Sequence, residues 1–153
     1  MVRIGLISDT HGLLRPQALA ALRGSDFIIH AGDIGNRQIL DQLAALAPLT
    51  AVRGNNDRGE WAQPIPQTAL LEAGGMRIHV LHDLHDLALP PGAHAVRVVV
   101  SGHSHKPAVQ ERGGVLFVNP GSAGPRRFKL PVTVAELRLE AAAVSARIVA
   151  LAL

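Results

Sequence analysis

The sequence predicts an α/β fold in which two packed, mixed β-sheets are flanked by helices. Three observations favour this fold. Short apolar segments of strand length recur along the chain, most without strict alternation, as is typical of strands buried on both faces. Helical patterns separate the first three segments and predict a parallel β-α-β start. Two hairpin-like regions predict antiparallel additions.

Six of the apolar segments are predicted strands that each stop at a polar, glycine-marked turn, namely 3–7, 27–29, 50–53, 77–81, 96–100 and 115–118. A first helix is predicted over 16–23 and ends at Gly24. A second is predicted over 37–47, with Asn36 as its N-cap and Pro48 behind it. Residues 67–82 predict one hairpin, and the segments 132–139 and 144–151 predict another.

Composition limits the class of protein. A chain of 153 residues predicts one domain, residues 1–153, with a real core. No apolar run approaches the roughly 20 residues that span a membrane, and no secretory signal opens the chain, so we expect a cytoplasmic protein. The net charge of +3, without a basic stripe interleaved with aromatics, disfavours nucleic acid as a partner. The absence of cysteine leaves nitrogen and oxygen as the metal ligands.

Polar side chains collect where the predicted strands end. The carboxyl ends of strands in an α/β sheet share one ligand-binding edge, so residues of metal-ligand type are expected to meet there. Seven such residues are the predicted metal ligands: Asp9, His11, Asp33, Asn55, His82, His103 and His105.

Each motif alone has a simpler interpretation. Asp9 and His11 fit a turn with a capping acid, and Asp33 fits a helix cap. Residues 54–57 fit a tight turn, and His82 fits a hydrogen-bonded core histidine. The occurrence of all these motifs together favours metal binding. Three or four protein ligands satisfy one zinc ion, so seven are more than a single ion needs. With one bridging carboxylate, which we expect to be Asp33, seven residues provide four contacts to each of two ions.

The most specific fragment is GHSH at residues 102–105. In an extended segment, alternate residues lie roughly 6–7 Å apart and point to the same side. His103 and His105 could therefore chelate one ion or serve two neighbouring ones, and spacing alone leaves both arrangements open.

Five motifs in order, DTH at 9–11, GD at 32–33, GNND at 54–57, His82 and GHSH at 102–105, resemble those of the calcineurin-like metallophosphoesterase superfamily. The short chain and NPGSAGPRR at 119–127 are similar to its small YfcE-like phosphodiesterase group. The resemblance implies a four-layer α-β-β-α sandwich with a binuclear metal site. It places Asp9, His11, Asp33 and His105 on one ion, and Asp33, Asn55, His82 and His103 on the other.

Further roles are expected around these ligands. Asp33, Asn55 and His82 are expected to take part in catalysis. Asn56 is expected to contact substrate, as is Arg127 or its neighbour Arg126. Many relatives have histidine where this chain has Asn56, which cannot protonate a leaving group. The proton is then expected from water or His85, or the enzyme is expected to prefer good leaving groups. His30 is expected to support a metal ligand without binding the metal itself. Asp83 is expected either to be the partner of a ligand imidazole or to be a surface residue, and His94 is expected to be solvated.

The predicted function is a metal-dependent phosphodiesterase that hydrolyses a small phosphodiester with a hydroxide activated by two divalent ions. Four imidazoles and three oxygen donors favour Mn, Fe, Zn, Ni or Co over Mg or Ca, and the resemblance favours Mn²⁺. The alternatives are a phosphomonoesterase, a nuclease, and a non-catalytic protein-binding scaffold such as the retromer subunit of this fold. A homo-oligomer is compatible with the sequence.

Overall fold

A computed structural model describes residues 1–88, 95–127 and 129–153, so the predicted solvation of His94 falls outside the described residues. In chain order the elements are β1 (Val2–Ile7), α1 (Pro16–Leu22), β2 (Phe27–His30), α2 (Arg37–Ala44), β3 (Leu49–Ala51), β4 (Thr68–Ala73), β5 (Met76–Leu81), the 3₁₀ helix η1 (Leu84–Asp86), β6 (Val96–Val100), β7 (Ala108–Arg112), β8 (Val115–Asn119), β9 (Thr133–Glu140) and β10 (Ala143–Ala150).

The strands form two five-stranded mixed sheets, which confirms the predicted fold class. The first sheet has the order β10-β9-β1-β2-β3, and its strands β1, β2 and β3 are parallel. The second has the order β4-β5-β6-β8-β7, with β5, β6 and β8 parallel. Both predicted hairpins are present, as the antiparallel pairs β4–β5 and β9–β10.

The main core lies between the two sheets. Successive side chains of a strand point to opposite faces, so β1 sends Leu6 into this core and Ile7 to the other side of its sheet. Fully buried residues from both sheets meet in it, among them Ile29, Ile78 and Leu137. This packing brings the carboxyl ends of β1, β2 and β3 to the same side of the molecule as those of β5 and β6.

Both α-helices cover the outer face of the first sheet, where Leu22 of α1 and Leu43 of α2 are buried. Asn36 caps α2 by accepting a hydrogen bond from the amide of Ile39, as the sequence predicts. On the outer face of the second sheet, the described part of the chain supplies η1 and its neighbours, with Leu84 and Leu87 packed on Phe117 and Val99. Among the described residues, no helix is long and apolar enough to cross a membrane.

The end of helix α2 and the presence of strand β7 are the largest differences from the sequence prediction. Helix α2 ends at Ala44 and not at Ala47, since the chain tightens into a turn before Pro48. Strand β7 was not predicted. Its five residues are all exposed at the edge of the sheet, so they carry no apolar pattern.

Candidate metal centre

Backbone hydrogen bonds tie the loops that leave the strand ends to one another. After β1 and β2, the Asp9 amide donates to the Gly32 carbonyl at 3.0 Å and the His11 amide donates to the Asp33 carbonyl at 2.9 Å. After β5 and β6, the Gly102 amide donates to the His82 carbonyl at 2.9 Å. Six of the seven predicted ligands, all but Asn55, are therefore on loops that are hydrogen-bonded to a neighbouring loop.

The loops that bear the predicted ligands contain unusual backbone conformations. Five predicted ligands have positive φ angles of 47° to 70°: Asp9, His11, Asp33, His103 and His105. A left-handed conformation costs a non-glycine residue roughly 1–2 kcal/mol, and such conformations persist where the surroundings enforce them. Their clustering at one edge of the fold is typical of a functional site.

Side chains from four loops meet in two groups that share Asp9, one with His11 and His105 and one with Asp33 and His82. The Oδ1 atom of Asp9 lies 3.3 Å from Nε2 of His105, 3.7 Å from Nε2 of His11 and 3.9 Å from Nε2 of His82. The Oδ2 atom of Asp33 lies 3.6 Å from Nε2 of His11 and 3.2 Å from Nε2 of His82. Both carboxylates thus lie between imidazoles that come from opposite sheets.

Three of these atoms, Asp9 Oδ1, His11 Nε2 and His82 Nε2, are buried without a hydrogen-bond partner among the described residues, and so is the other ring nitrogen of His105, Nδ1. Burying an unpaired polar atom costs free energy, so four such atoms in one place require a compensating partner. Two carboxylates and three imidazoles form a donor set that suits a divalent transition metal. The residues therefore fit the metal ions that the sequence predicts.

Hydrogen bonds to the second oxygen of each carboxylate, Oδ2 of Asp9 and Oδ1 of Asp33, fix the orientation of these side chains. The Oδ2 atom of Asp9 accepts hydrogen bonds from the Ser8 hydroxyl at 2.7 Å and from the His103 amide at 3.1 Å. The Oδ1 atom of Asp33 accepts one from the Asn56 amide at 2.9 Å, and the Asn56 side chain donates to Oδ2 at 3.4 Å. Asn56 thus holds a predicted ligand in place, and its substrate contact stays a prediction.

Both carboxylates are ionised at neutral pH. Burial opposes ionisation of Asp33, but the His82 ring and the Asn56 amide hold the pKa of its carboxyl at about 2. Burial likewise opposes ionisation of Asp9, yet His11 and Ser8 leave its pKa below the usual value. Ionised carboxylates are the form that binds a cation.

The pKa values of two buried imidazoles, His82 and His105, are shifted in opposite directions. Burial by itself lowers the pKa of His82, but the Asp33 carboxylate and the Ala31 carbonyl outweigh it, so the pKa lies above its usual value. Its Nδ1 lies 2.7 Å from the Ala31 carbonyl oxygen, which can only accept, so a neutral ring has its proton on Nδ1 and its lone pair on Nε2, facing Asp33. Burial lowers the pKa of His105, which keeps that ring neutral.

His30 lies behind the centre and is fully buried. Its Nδ1 accepts a hydrogen bond from the Gly32 amide at 3.1 Å, so its proton is on Nε2, which lies 3.0 Å from the Thr10 hydroxyl. Both ring nitrogens are used, and they join the loops that bear Asp9 and Asp33. This position is compatible with the predicted supporting role of His30.

His30 makes stability depend on pH. Burial lowers its pKa from 6.5 to about 4, so below pH 6.5 the unfolded chain binds a proton that the folded chain does not. We expect the free energy of unfolding to fall by about 2 kcal/mol between pH 6.5 and about pH 5 from this group alone. Urea unfolding of the metal-free protein measures it, and the His30→Gln variant should lack this part of the slope. Equal slopes in the two proteins would contradict the prediction.

Three predicted residues lie at the rim. Asn55 is exposed and lines a cleft of about 280 Å³ together with His82 and Asp83. The His103 ring is about half exposed, with its centroid 5.3 Å from that of His82 and its Nε2 3.7 Å from Oδ2 of Asp83. The Oδ1 atom of Asp83 accepts a hydrogen bond from the amide of His85, whose ring is almost fully exposed.

Arg127 is exposed, and its guanidinium is near enough to His105 to help lower the pKa of that ring. Arg126 is exposed as well.

Asp57 was missed as a structural residue although it belongs to the GNND motif. It is buried, and its carboxylate accepts hydrogen bonds from the amides of Ile34 at 2.9 Å, Gly35 at 3.1 Å and Gly54 at 2.9 Å. It therefore joins the loop that bears Asp33 to the loop that bears Asn55. The signal in the sequence was an acid next to two turn asparagines, which an ordinary turn explains equally well.

Asp57→Asn is expected to lower the free energy of unfolding by about 1–3 kcal/mol, because an amide nitrogen then faces backbone amides that lose an acceptor. Metal affinity should fall with it, since Asp33 and Asn55 lose their common anchor. Urea unfolding and a metal titration measure the two effects. Asp41→Asn, on the exposed face of α2, is the matched control and should change neither. Wild-type stability in Asp57→Asn would contradict the anchoring role of Asp57.

Asn119 and Ser122 of the NPGS segment were also not assigned a role. The Asn119 side chain donates to the Gly102 carbonyl at 2.9 Å, and the Ser122 hydroxyl donates to the Asp9 carbonyl at 3.0 Å. Both support loops of the centre from the side of β8.

Comparison with known proteins agrees with this geometry. The profile of the calcineurin-like phosphoesterase superfamily domain matches residues 2–142. A probable metallophosphoesterase from Methanothermobacter thermautotrophicus is 35% identical to the chain over 95% of the chain and 91% of that protein.

Solved structures share the fold. An archaeal phosphodiesterase superposes with a TM-score of 0.79 at 24% identity, covering 97% of this chain and 100% of the other. Vps29 from Chaetomium thermophilum superposes with a TM-score of 0.77 at 21% identity, covering 97% of each chain. YfcE, a phosphoesterase from E. coli, superposes with a TM-score of 0.70 at 22% identity, covering 99% of this chain and 100% of YfcE.

Proposed function

This chain belongs to the calcineurin-like phosphoesterase superfamily, and from that membership we propose that it is a phosphodiesterase that binds two divalent cations, Mn²⁺ by preference, and hydrolyses a small phosphodiester. The observation that carries the proposal is the set of four buried, unpaired donor atoms around Asp9 and Asp33. Asp9, Asp33 and the imidazoles around them would hold the cations, which would supply an activated water near neutral pH and positive charge for the phosphoryl oxygens.

We assign Asp9, His11, Asp33 and His105 to one cation, and Asp33, Asn55, His82 and His103 to the other. The distances support Asp33 as the bridge, because its Oδ2 lies within 3.6 Å of both His11 and His82, which belong to different cations in this assignment. Asp9 is close to both groups through Oδ1, and its other oxygen is engaged by Ser8 and His103.

The remaining side chains orient these ligands and meet the substrate. The Ala31 carbonyl fixes the ring of His82, and Asp83 lies beside His103. Arg127 supplies a positive charge for the phosphodiester. The proton for the leaving group comes from solvent or from His85, because Asn56 has none to give and is engaged with Asp33.

Metal analysis combined with hydrolysis of bis(p-nitrophenyl) phosphate tests the proposal. We expect about two cations per chain, activity that depends on added Mn²⁺, and slower hydrolysis of the monoester p-nitrophenyl phosphate. Without a strong acid for the leaving group, the rate should fall steeply as the pKa of the leaving phenol rises. A protein that binds no cation, or one that prefers the monoester, would overturn the assignment.

A non-catalytic scaffold of the same fold is the second candidate. Leu70 and Val109 are 49% and 43% exposed, and they lie on β4 and β7, the two edge strands of the second sheet. Exposed apolar side chains on sheet edges suit protein contacts. Buried, unpaired metal-ligand atoms are what a metal-dependent hydrolase needs, so this observation favours the enzyme.

A further inference from the structure

A second and larger pocket opens beside the proposed metal centre. It has a volume of about 530 Å³, within the range of small-molecule sites, and it borders His103, Asp83 and the outer face of the second sheet. Strands β7 and β8 form its floor, where Gln110 pairs with Phe117 and the two side chains share a face. The metal-bearing loop therefore forms one wall of this pocket.

Two positively charged side chains line the pocket without a carboxylate partner among the described residues. Lys106 and Arg112 form no ion pair within the described ranges, and a neutral amide, the Gln110 Oε1 atom, accepts from Arg112 Nη2 at 2.9 Å. The acid that lines the pocket, Asp83, is occupied at its other end by His85 and faces His103. Among the residues that the structure describes, positive charge therefore exceeds negative charge in this pocket.

The Arg112 guanidinium is held over an aromatic ring. Its Cζ atom lies 5.3 Å from the centroid of Phe117, and the bond to Gln110 fixes its orientation. A guanidinium held in this way presents a planar cation, which stacks on aromatic rings and pairs with phosphates. Ser104 and Asn119 add hydrogen-bonding groups to the same wall.

The smaller cleft on the other side of Asp83 has the opposite charge balance. Its walls bring two carboxylates, Asp83 and Asp86, together with one guanidinium, that of Arg53. A phosphodiester has two ester arms, and these two pockets meet at Asp83. The charge of the larger pocket therefore favours an anionic arm, and the charge of the smaller cleft disfavours one.

We propose that the larger pocket binds an aromatic, anionic arm of the substrate, so that the physiological diester contains a nucleotide with a phosphate additional to the scissile one. The base stacks on Arg112 above Phe117, and the additional phosphate pairs with Lys106. The smaller cleft takes the other, uncharged arm. This inference rests on the proposed phosphodiesterase function and names its substrate class.

Three diesters with the same p-nitrophenol leaving group test the inference: methyl p-nitrophenyl phosphate, thymidine 5′-(p-nitrophenyl phosphate) and the 3′-phosphorylated form of the latter. With the Mn²⁺-loaded enzyme, kcat/KM should increase along this series by about tenfold at each step, mainly through KM. Equal values for all three would overturn the inference.

Variants locate the effect. Lys106→Ala should lower kcat/KM by about tenfold for the 3′-phosphorylated substrate alone, and Arg112→Ala should lower it for both nucleotide substrates. Both variants should hydrolyse the methyl ester at the wild-type rate. Arg97→Ala is the matched control, because this arginine is on the same sheet but does not line the pocket. Equal losses on all three substrates, or no loss on any, would contradict the assignment of the pocket.

Binding provides a readout that needs no turnover. Calorimetry with thymidine 3′,5′-bisphosphate and thymidine 5′-monophosphate should show about tenfold tighter binding of the bisphosphate, and Lys106→Ala should remove the difference. If no diester is hydrolysed but this preference holds, the proposed phosphodiesterase function fails and the pocket assignment stands. If diesters are hydrolysed and the preference is absent, the pocket assignment fails alone.

Discussion

Asp33→Asn is expected to lower kcat/KM for an aryl phosphodiester by at least about a hundredfold, which corresponds to the loss of about 3 kcal/mol of transition-state stabilisation. The substitution keeps the shape of the side chain and the acceptor for the Asn56 amide. It removes the negative charge from an oxygen that lies within 3.6 Å of both His11 and His82. With the amide oxygen kept at the Asn56 amide, the NH2 group of the new side chain takes the place of Oδ2, and an NH2 group does not coordinate a cation, so one cation of the pair should bind much more weakly.

The measurement combines metal content, steady-state kinetics and thermal unfolding with and without Mn²⁺. Metal binding to the folded state raises the melting temperature, and this increase should shrink in Asp33→Asn while the metal-free protein remains folded. Asp41→Asn has the same change of charge at an exposed position and should behave as the wild type. Full occupancy by two cations together with wild-type activity in Asp33→Asn would show that Asp33 is not the bridge.

Gly102→Val is expected to destabilise the fold by about 3 kcal/mol and to weaken metal binding at the same time. A Cβ atom at this position would lie 2.1 Å from the Ser8 hydroxyl oxygen and 2.7 Å from Oδ2 of Asp9. Both atoms are buried, so neither can move aside without displacing the Asp9 carboxylate. Glycine is required here for the close approach of two loops.

Urea unfolding and a Mn²⁺ titration separate the two effects. Gly75→Ala, in the β4–β5 turn, is the control, because its Cβ would meet no atom within 4 Å and its positive φ alone costs about 1 kcal/mol. It should leave metal affinity unchanged. Metal affinity at the wild-type level in Gly102→Val would show that the β6 loop does not position Asp9.

Much of the fold was predictable because buried strands and amphipathic helices have a periodic apolar pattern. The two hairpins, both helices and the parallel start follow from it. Strand β7 could not be found in this way, since an exposed edge strand has no apolar face and is defined only by its pairing with β8. The role of Asp57 was not found for a related reason, because two of its three partners, the amides of Ile34 and Gly35, lie on another loop and are not part of the local turn pattern.

The sequence by itself determined which donor atoms this protein has and that they lie at the ends of strands, since residue type and apolar periodicity are local properties. Only the tertiary structure decided which donors meet. The sheets bring Asp9 to His105 across 96 residues of chain and leave His103 beside Asp83 at the rim, although the two histidines are separated by a single residue. Strand pairing and hydrogen bonds between distant loops set these distances, and neither can be inferred from spacing along the chain.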